Sequence, residues 1–137
     1  VAVTGVQTCA LPIYQLLEMK RYEVIADGAC DALVLMFIER SREHPSAEWT
    51  ARQKRKADGA LRELASSIGE REFAIAGRLT YADIAVVSLL GWMKVRLPDY
   101  GWEKSYPKLA SYAAGLEARP SFQKTVPTAQ VIRDKVA

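Results

Sequence analysis

Between Tyr14 and about Arg42 the apolar residues recur three and four positions apart. Leu16, Leu17, Val24, Ile25, Ala29, Leu33, Met36 and Phe37, with Arg40 at the end, follow the repeat of a long amphipathic helix. Gly28 weakens its middle by about 1 kcal/mol relative to alanine, and such a glycine marks a kink or a close helix contact. His44-Pro45 ends the element, because a residue before proline avoids the α region. A second helix is predicted from Ser46 to Ser67. Ser46 serves as N-cap, Glu48 sits in the first turn where the dipole favours an acid, and Gly69 is a stop.

The third pattern is "GRLTYADIAVVSLLGWMKVRLP". Thr80 and Asp83 have the spacing of a capping box, flanked by Leu79 and Ile84 at the positions of a hydrophobic staple. Ile84, Ala85, Val86, Val87, Leu89 and Leu90 then make a helix that is apolar nearly all round, the mark of a central, buried element. It runs to about Arg96, before Pro98. A fourth helix is predicted from Tyr106 to Ala118, with Pro107 near its start. Pro120 breaks it, Ser121 can cap one more short turn, and "TAQVIRDKVA" reads as a helical or frayed tail. The fold class is all-α, a bundle of about five helices.

The first thirteen residues stand apart. They carry no charge, whereas the remaining 124 hold all 19 basic and 16 acidic side chains. They lack the basic and long apolar regions of a secretory signal. As a strand they would have no partner in a helical chain. The expected organisation is therefore a separate segment over 1–13 and one domain over 14–137, long enough to bury a core.

Composition narrows the chemistry. Half the residues are apolar and 26% are charged, as in ordinary globular proteins. A net charge of +3 does not call for an anionic partner. The run Arg52-Gln53-Lys54-Arg55-Lys56 could form a nucleic-acid patch, but a solvated helix face is the expectation. No apolar run approaches the roughly 20 residues of a membrane span. Two cysteines and one histidine, His44, cannot build a His- or Cys-rich metal site. There is no G-x-G-x-x-G, no P-loop and no G-x-S-x-G. Asp27 and Asp31 lie one turn apart, but read better as polar residues at a helix contact or cleft edge than as an acid/base pair. The residues by themselves describe a helical bundle without a catalytic constellation.

Two resemblances add to this. "VTGVQTCALPI", Val3 to Ile13, resembles the in-frame translation of a common DNA-sequencing adapter, which would make it a foreign segment joined to a truncated reading frame; the alternative is a native disordered tail. On either reading Cys9 leaves the argument and Cys30 is the native thiol.

The second resemblance covers about Tyr14 to Pro127. "LTYADIAV", a buried helix, and then "YPKLASYAAGLEARPSFQKTVP" resemble the C-terminal helical domain of cytosolic glutathione transferases. "IADGACDALVLMFIERSR" is similar to the first long helix of a bacterial branch. The resemblance implies a cytoplasmic, homodimeric parent enzyme that conjugates glutathione to electrophiles. Such an enzyme activates the glutathione thiol in an N-terminal thioredoxin-like domain of about 80 residues, which has no counterpart in these 137. The helical domain would supply the apolar electrophile pocket and part of the dimer contact. It would use neither cofactor nor metal, glutathione being a co-substrate, and would bind neither nucleic acid nor membrane. Trp92 matches an indole that some bacterial members place in the pocket, though it could equally be a core tryptophan. Asp31, Leu35 and Glu39 share one face of the first helix and could border the cleft. Thr80 and Asp83 would be structural. This chain alone is expected to be inactive, because it offers no group placed to activate a thiol. The rival reading is a stand-alone, non-catalytic interaction module of the same fold.

Overall fold

The first helix, α1 (Ile13–Glu39), starts one residue earlier than the pattern predicts and ends three earlier. In the structure, a computed structural model that describes residues 12–130, its buried stripe is Met19, Tyr22, Ala26, Ala29, Leu33 and Met36. That stripe differs from the one the apolar residues suggest. Leu17 and Val24 are more than half exposed, while Tyr22 and Ala26, absent from the expected stripe, are fully buried. The helix has apolar residues on more than one side, so spacing alone does not say which side faces the core. Gly28 is exposed, and a β-carbon there would meet nothing within 4 Å. Of the two readings of this glycine, a kink or a close helix contact, the contact is therefore not present.

Helix α2 (Ala47–Ile68) packs along α1. Ser46 caps it as expected, its hydroxyl accepting from the Trp49 N–H at 3.2 Å. Ala57, Leu61, Leu64 and Ile68 form its buried face, and each fully buried leucine or isoleucine contributes about 1.5–3 kcal/mol. Gly69 ends the helix at φ +60°, in the left-handed region that suits glycine. Beyond it Arg71 folds back over the last turn. Its Nε donates to the Ile68 carbonyl at 3.1 Å and its Nη2 reaches both the Ser67 carbonyl and the Tyr22 hydroxyl, tying the end of α2 to α1. The basic run faces water: Arg52, Lys54, Arg55 and Lys56 are exposed, and Lys54 pairs with Asp58 at 2.7 Å. Only Gln53 turns inward, fully buried, and its amide has no hydrogen-bond partner among the described residues.

Helix α3 (Tyr81–Arg96) lies between α1 and α5 (Pro107–Glu117) and is buried along much of its circumference. The loop leading to it passes through Ala76 and Gly77, both at positive φ, and buries Ala74 and Ile75. Between α3 and α5 the chain makes a 3-10 turn (Pro98–Tyr100) and the short α4 (Trp102–Ser105). Trp102 is 2% exposed and plugs this end of the core. Pro98 and Gly101 read as breakers, so the sequence pattern did not predict α4. A last turn, α6 (Pro120–Gln123), packs on α5. Its N-cap is Arg119 rather than Ser121, because Pro120 takes the N1 position with its preset φ.

The fold class is as expected, all-α, with six α-helices and no strand among the described residues. No helix among them is long and apolar enough to cross a membrane. Residues 126–130 carry no regular structure, so the described part of the tail, 128–130, takes the frayed rather than the helical of its two expected forms. The expected separateness of 1–13 and the tail beyond 130 lie outside the described residues, apart from Pro12 and Ile13, which open α1.

Candidate functional site

Asp83 accepts more hydrogen bonds than any other side chain among the described residues, and it is completely buried. The Thr80–Asp83 capping box is formed as the sequence implies. Asp83 Oδ2 accepts from the Thr80 N–H at 2.7 Å and from the Thr80 hydroxyl at 2.9 Å. The other oxygen does more than cap. Oδ1 accepts from the Ala74 N–H at 2.7 Å and from the Tyr112 hydroxyl at 2.8 Å. One carboxylate thus joins the incoming loop, the start of α3 and the middle of α5. Burial, and then the adjacent Asp83 charge, push the Tyr112 hydroxyl far above its ordinary pKa, so it remains a donor. This knot fixes α3 in place and offers no free group for chemistry.

What α3 presents on another face is a cavity of about 450 Å³, within the range that holds small organic ligands. Ile84, Val87, Ser88, Gly91, Trp92 and Val95 line one wall, spaced three and four apart along the helix. Phe122 of α6 and Thr125, Val126 and Pro127 after it form the facing wall. The lining is mainly apolar. Its charged members, Lys94 and Glu117, neutralise each other: Lys94 Nζ lies 2.8 and 2.7 Å from the two Glu117 oxygens. The same ammonium sits 5.9 Å from the centre of the Trp102 ring.

Trp92 is held from behind. Its ring meets Phe37 of α1 edge to face, with centroids 6.2 Å apart and planes at 77°. The Arg96 guanidinium lies 5.4 Å from the centre of the Phe37 ring. Among the described residues the lining contains no thiol, imidazole or unpaired carboxylate. Cys30 lies elsewhere, half-buried on α1. Burial, and then the neighbouring Asp31 and Asp27 carboxylates, raise its pKa and disfavour the thiolate.

The residues singled out from sequence therefore separate. Trp92 borders the cavity. Asp31 and Leu35 are exposed on α1 and do not line it. Glu39 is 6% exposed and engaged at the α1–α2 corner: Oε1 accepts from the Ser46 N–H at 2.8 Å and Oε2 lies 3.3 Å from Arg42 Nε. It extends the capping of α2 and is not free to face a cleft. Sequence reasoning missed Ile84, Val95 and Phe122 as lining residues, along with the whole stretch 125–127. The signal available was the second apolar stripe on α3, which in an all-apolar helix cannot be told from the core stripe.

The sequence pattern of the glutathione S-transferase C-terminal domain matches residues 47–115, half of the chain. No curated protein matches. Solved structures do. A glutathione S-transferase from Methylobacterium radiotolerans, in complex with glutathione sulfonate, superposes with a TM-score of 0.84 at 46% identity, over 88% of this chain and 58% of that one. A glutathione S-transferase from Methylobacillus flagellatus with glutathione bound gives 0.78 at 30% identity, over 82% and 56%. A glutathione transferase family member from Pseudomonas fluorescens, also with bound glutathione, gives 0.72 at 31% identity, over 81% and 54%. The chain spans a little more than half the length of these solved chains.

Proposed function

This chain belongs to the glutathione S-transferase family, matching its C-terminal helical domain, and we propose that it supplies the electrophile pocket of an enzyme that conjugates glutathione to apolar electrophiles. The cavity between α3 and residues 122–127 carries this reading: it is apolar, of ligand size, and bordered by an indole clamped against Phe37. The pocket offers binding and orientation. The thiol activation belongs to a thioredoxin-like domain, which would hold the thiolate beside the bound electrophile.

Exposed apolar residues on the helices support the same reading. Tyr14 and Leu17 near the start of α1, and Tyr81 and Ile84 at the start of α3, are 41–83% exposed. A surface of this kind is suited to being covered by another domain. On this reading the parent enzyme is a cytoplasmic homodimer to whose contact the helical domain contributes, and Asp31 and Leu35 stand at the rim of the cleft. Residues 14–137 form the domain, and 1–13 are foreign to it.

The test is a chimera. The chain alone should not turn over chlorodinitrobenzene and glutathione. Fused behind a thioredoxin-like domain of the family it should do so, and Trp92→Ala in the chimera should raise the KM for the electrophile about three- to tenfold with a smaller change in kcat, the signature of lost uniform binding. An active chimera whose KM ignores Trp92→Ala would remove the pocket from the mechanism. Turnover by the chain alone would place the activating group within it.

A further inference from the structure

The two ends of the cavity differ in chemistry. Ile84 lines it at the start of α3, beside the exposed apolar residues suited to cover by another domain. Lys94 lines it ten residues further along α3, about 15 Å away at the helical rise. There it meets Glu117, the last residue of α5. Of the other polar residues in the lining, Thr125 spends its hydroxyl on the Ser121 and Phe122 carbonyls, and Ser88 stands one turn from Ile84. The far end is therefore an ion pair in an otherwise apolar wall. Lys94 Nζ lies 2.8 and 2.7 Å from the two Glu117 oxygens, which engages two of the three ammonium protons and leaves lone pairs on both oxygens. Among the described residues neither group makes another hydrogen bond, and the side chains are 35% and 33% exposed, so the pair can be reached. The Trp102 ring, 5.9 Å from the ammonium, steadies it.

We propose that Lys94 and Glu117 read the tail of the electrophile, and that the pocket selects elongated apolar electrophiles whose end remote from the reacting carbon carries an uncharged hydroxyl or amide. The inference rests on the reading of the cavity as the electrophile pocket, with the reacting carbon at the Ile84 end. Its physical basis is that the pair is closed to charge and open to hydrogen bonding. An anion drawn to Lys94 meets the Glu117 carboxylate at the same spot, and a cation drawn to Glu117 meets the ammonium; either must split the pair. A hydroxyl or primary amide splits nothing. It donates to a Glu117 oxygen and accepts from Lys94 Nζ, and hydrogen bonds to charged partners are the stronger kind. In a pocket with apolar walls alone, the same hydroxyl would lose its water without compensation and weaken binding. The pair reverses that sign. Because both side chains are a third exposed, the gain is that of a modest hydrogen bond, about three- to tenfold in affinity. Lys94 and Glu117 are specificity-determining residues, remote from the reacting atoms.

The experiment uses the full 137-residue chain and four rod-shaped probes that share one apolar body: biphenyl, 4-phenylphenol, biphenyl-4-carboxylate and 4-phenylbenzylammonium. Equilibrium dialysis at neutral pH gives their Kd values. The wild-type chain should bind 4-phenylphenol about three- to tenfold more tightly than biphenyl, and both ions more weakly than biphenyl. Lys94→Met/Glu117→Leu removes the two charges together and leaves no lone ion behind. Its affinity for biphenyl should be unchanged, while the order of biphenyl and 4-phenylphenol inverts. Glu117→Gln frees the ammonium, and should bind biphenyl-4-carboxylate about tenfold more tightly than the wild type does. A wild-type chain that prefers biphenyl to the phenol overturns the proposal. So does a phenol preference that survives in the double variant, which would transfer the recognition to Ser88. So do a carboxylate that is the tightest of the four on the wild type, and a carboxylate affinity that Glu117→Gln leaves unchanged. If the wild-type chain binds none of the four, the pocket reading falls and the tail reading falls with it, an outcome distinct from binding that ignores the pair.

Discussion

Replacing Asp83 by alanine should be among the most damaging single changes available in this chain. The carboxylate accepts four hydrogen bonds, at 2.7 to 2.9 Å, from Thr80, Ala74 and Tyr112. Thr80 is only partly buried, so its N–H and hydroxyl can turn to water. Losing that half of the network costs about 1 kcal/mol, as loss of a helix cap does. The other half is worse. Ala74 is completely buried and Tyr112 is 5% exposed, so their donors are stranded without water, at about 1–3 kcal/mol each. The desolvation of the carboxylate itself, recovered on its removal, offsets part of this. The net cost is about 3–5 kcal/mol, against a total stability of about 5–15 kcal/mol. Glu48→Ala, exposed in the first turn of α2, should cost about 0.3 kcal/mol. Urea unfolding followed by circular dichroism measures both, with equal m-values required for the comparison. Should Asp83→Ala yield no soluble protein, Tyr112→Phe deletes a single bond of the network and should cost about 1–2 kcal/mol. A loss below about 1 kcal/mol for Asp83→Ala, or a Tyr112→Phe variant as stable as the parent, would refute the reasoning.

Further expectations can be measured in the same way. Burial, with Asp83 beside Tyr112 and Asp58 beside Tyr100, raises both hydroxyls above the ordinary value of 10.0; the stability this confers is complete below pH about 10 and is lost as pH rises beyond it. Tyrosinate absorbance should therefore rise together with unfolding in alkali, and Tyr112→Phe should weaken the pH dependence; full ionisation of all six tyrosines in a folded chain would contradict this. Gly28→Ala, at an exposed helix-interior position with open space around it, should stabilise by about 0.5–1 kcal/mol in the same urea assay, and a destabilisation would reveal a contact not accounted for. Gln53→Met replaces a buried amide without partners and should stabilise by about 1 kcal/mol; a loss would mean that the amide is hydrogen-bonded after all.

How much of this could be read from sequence depended on whether the signal was local. The capping box was legible because Thr80 and Asp83 are three residues apart and interact within one turn. Ser46 and Gly69 were legible for the same reason. The second role of Asp83 was not: Ala74 is nine residues away and Tyr112 twenty-nine, and nothing in their spacing marks them as its partners. Glu39 shows the same limit. Its place on a helical face with Asp31 and Leu35 is a matter of periodicity, but its capture by Ser46 depends on the corner that follows. The buried stripe of α1 was legible only in part: Ala29, Leu33 and Met36 lie on it as the pattern implies, but Ala26 and Ala32 are too small to mark it, while the larger Leu17 and Val24 lie outside it. Size and hydropathy are poor guides where helices approach closely and another surface is available for the larger residues.

The cavity raises the same problem in a sharper form, since α3 must fill the core on one side and border a space on the other. Both stripes are apolar, and what separates them is the rotation of the helix about its axis. One residue of slip turns it by 100°, enough to carry Trp92 away from Phe122 and Val126. The Asp83 knot is what prevents that slip. It pins the first turn of α3 to the preceding loop and to α5 at once, and Trp92 follows nine residues later, two and a half turns along, in a direction that the first turn has already set. Lys94 and Glu117 join α3 to the end of α5 by a second tie, further along the same helix. The apolar residues that shape the cavity are thus aimed in part by the Asp83 network, which lies outside the lining, and in part by the Lys94–Glu117 pair within it. Among titratable groups the sequence singles out Asp83 rather than the cavity, whose own charged members, Lys94 and Glu117, pair with each other; the cavity's trace in the sequence is the excess of apolar side chains on α3 beyond what one buried face requires.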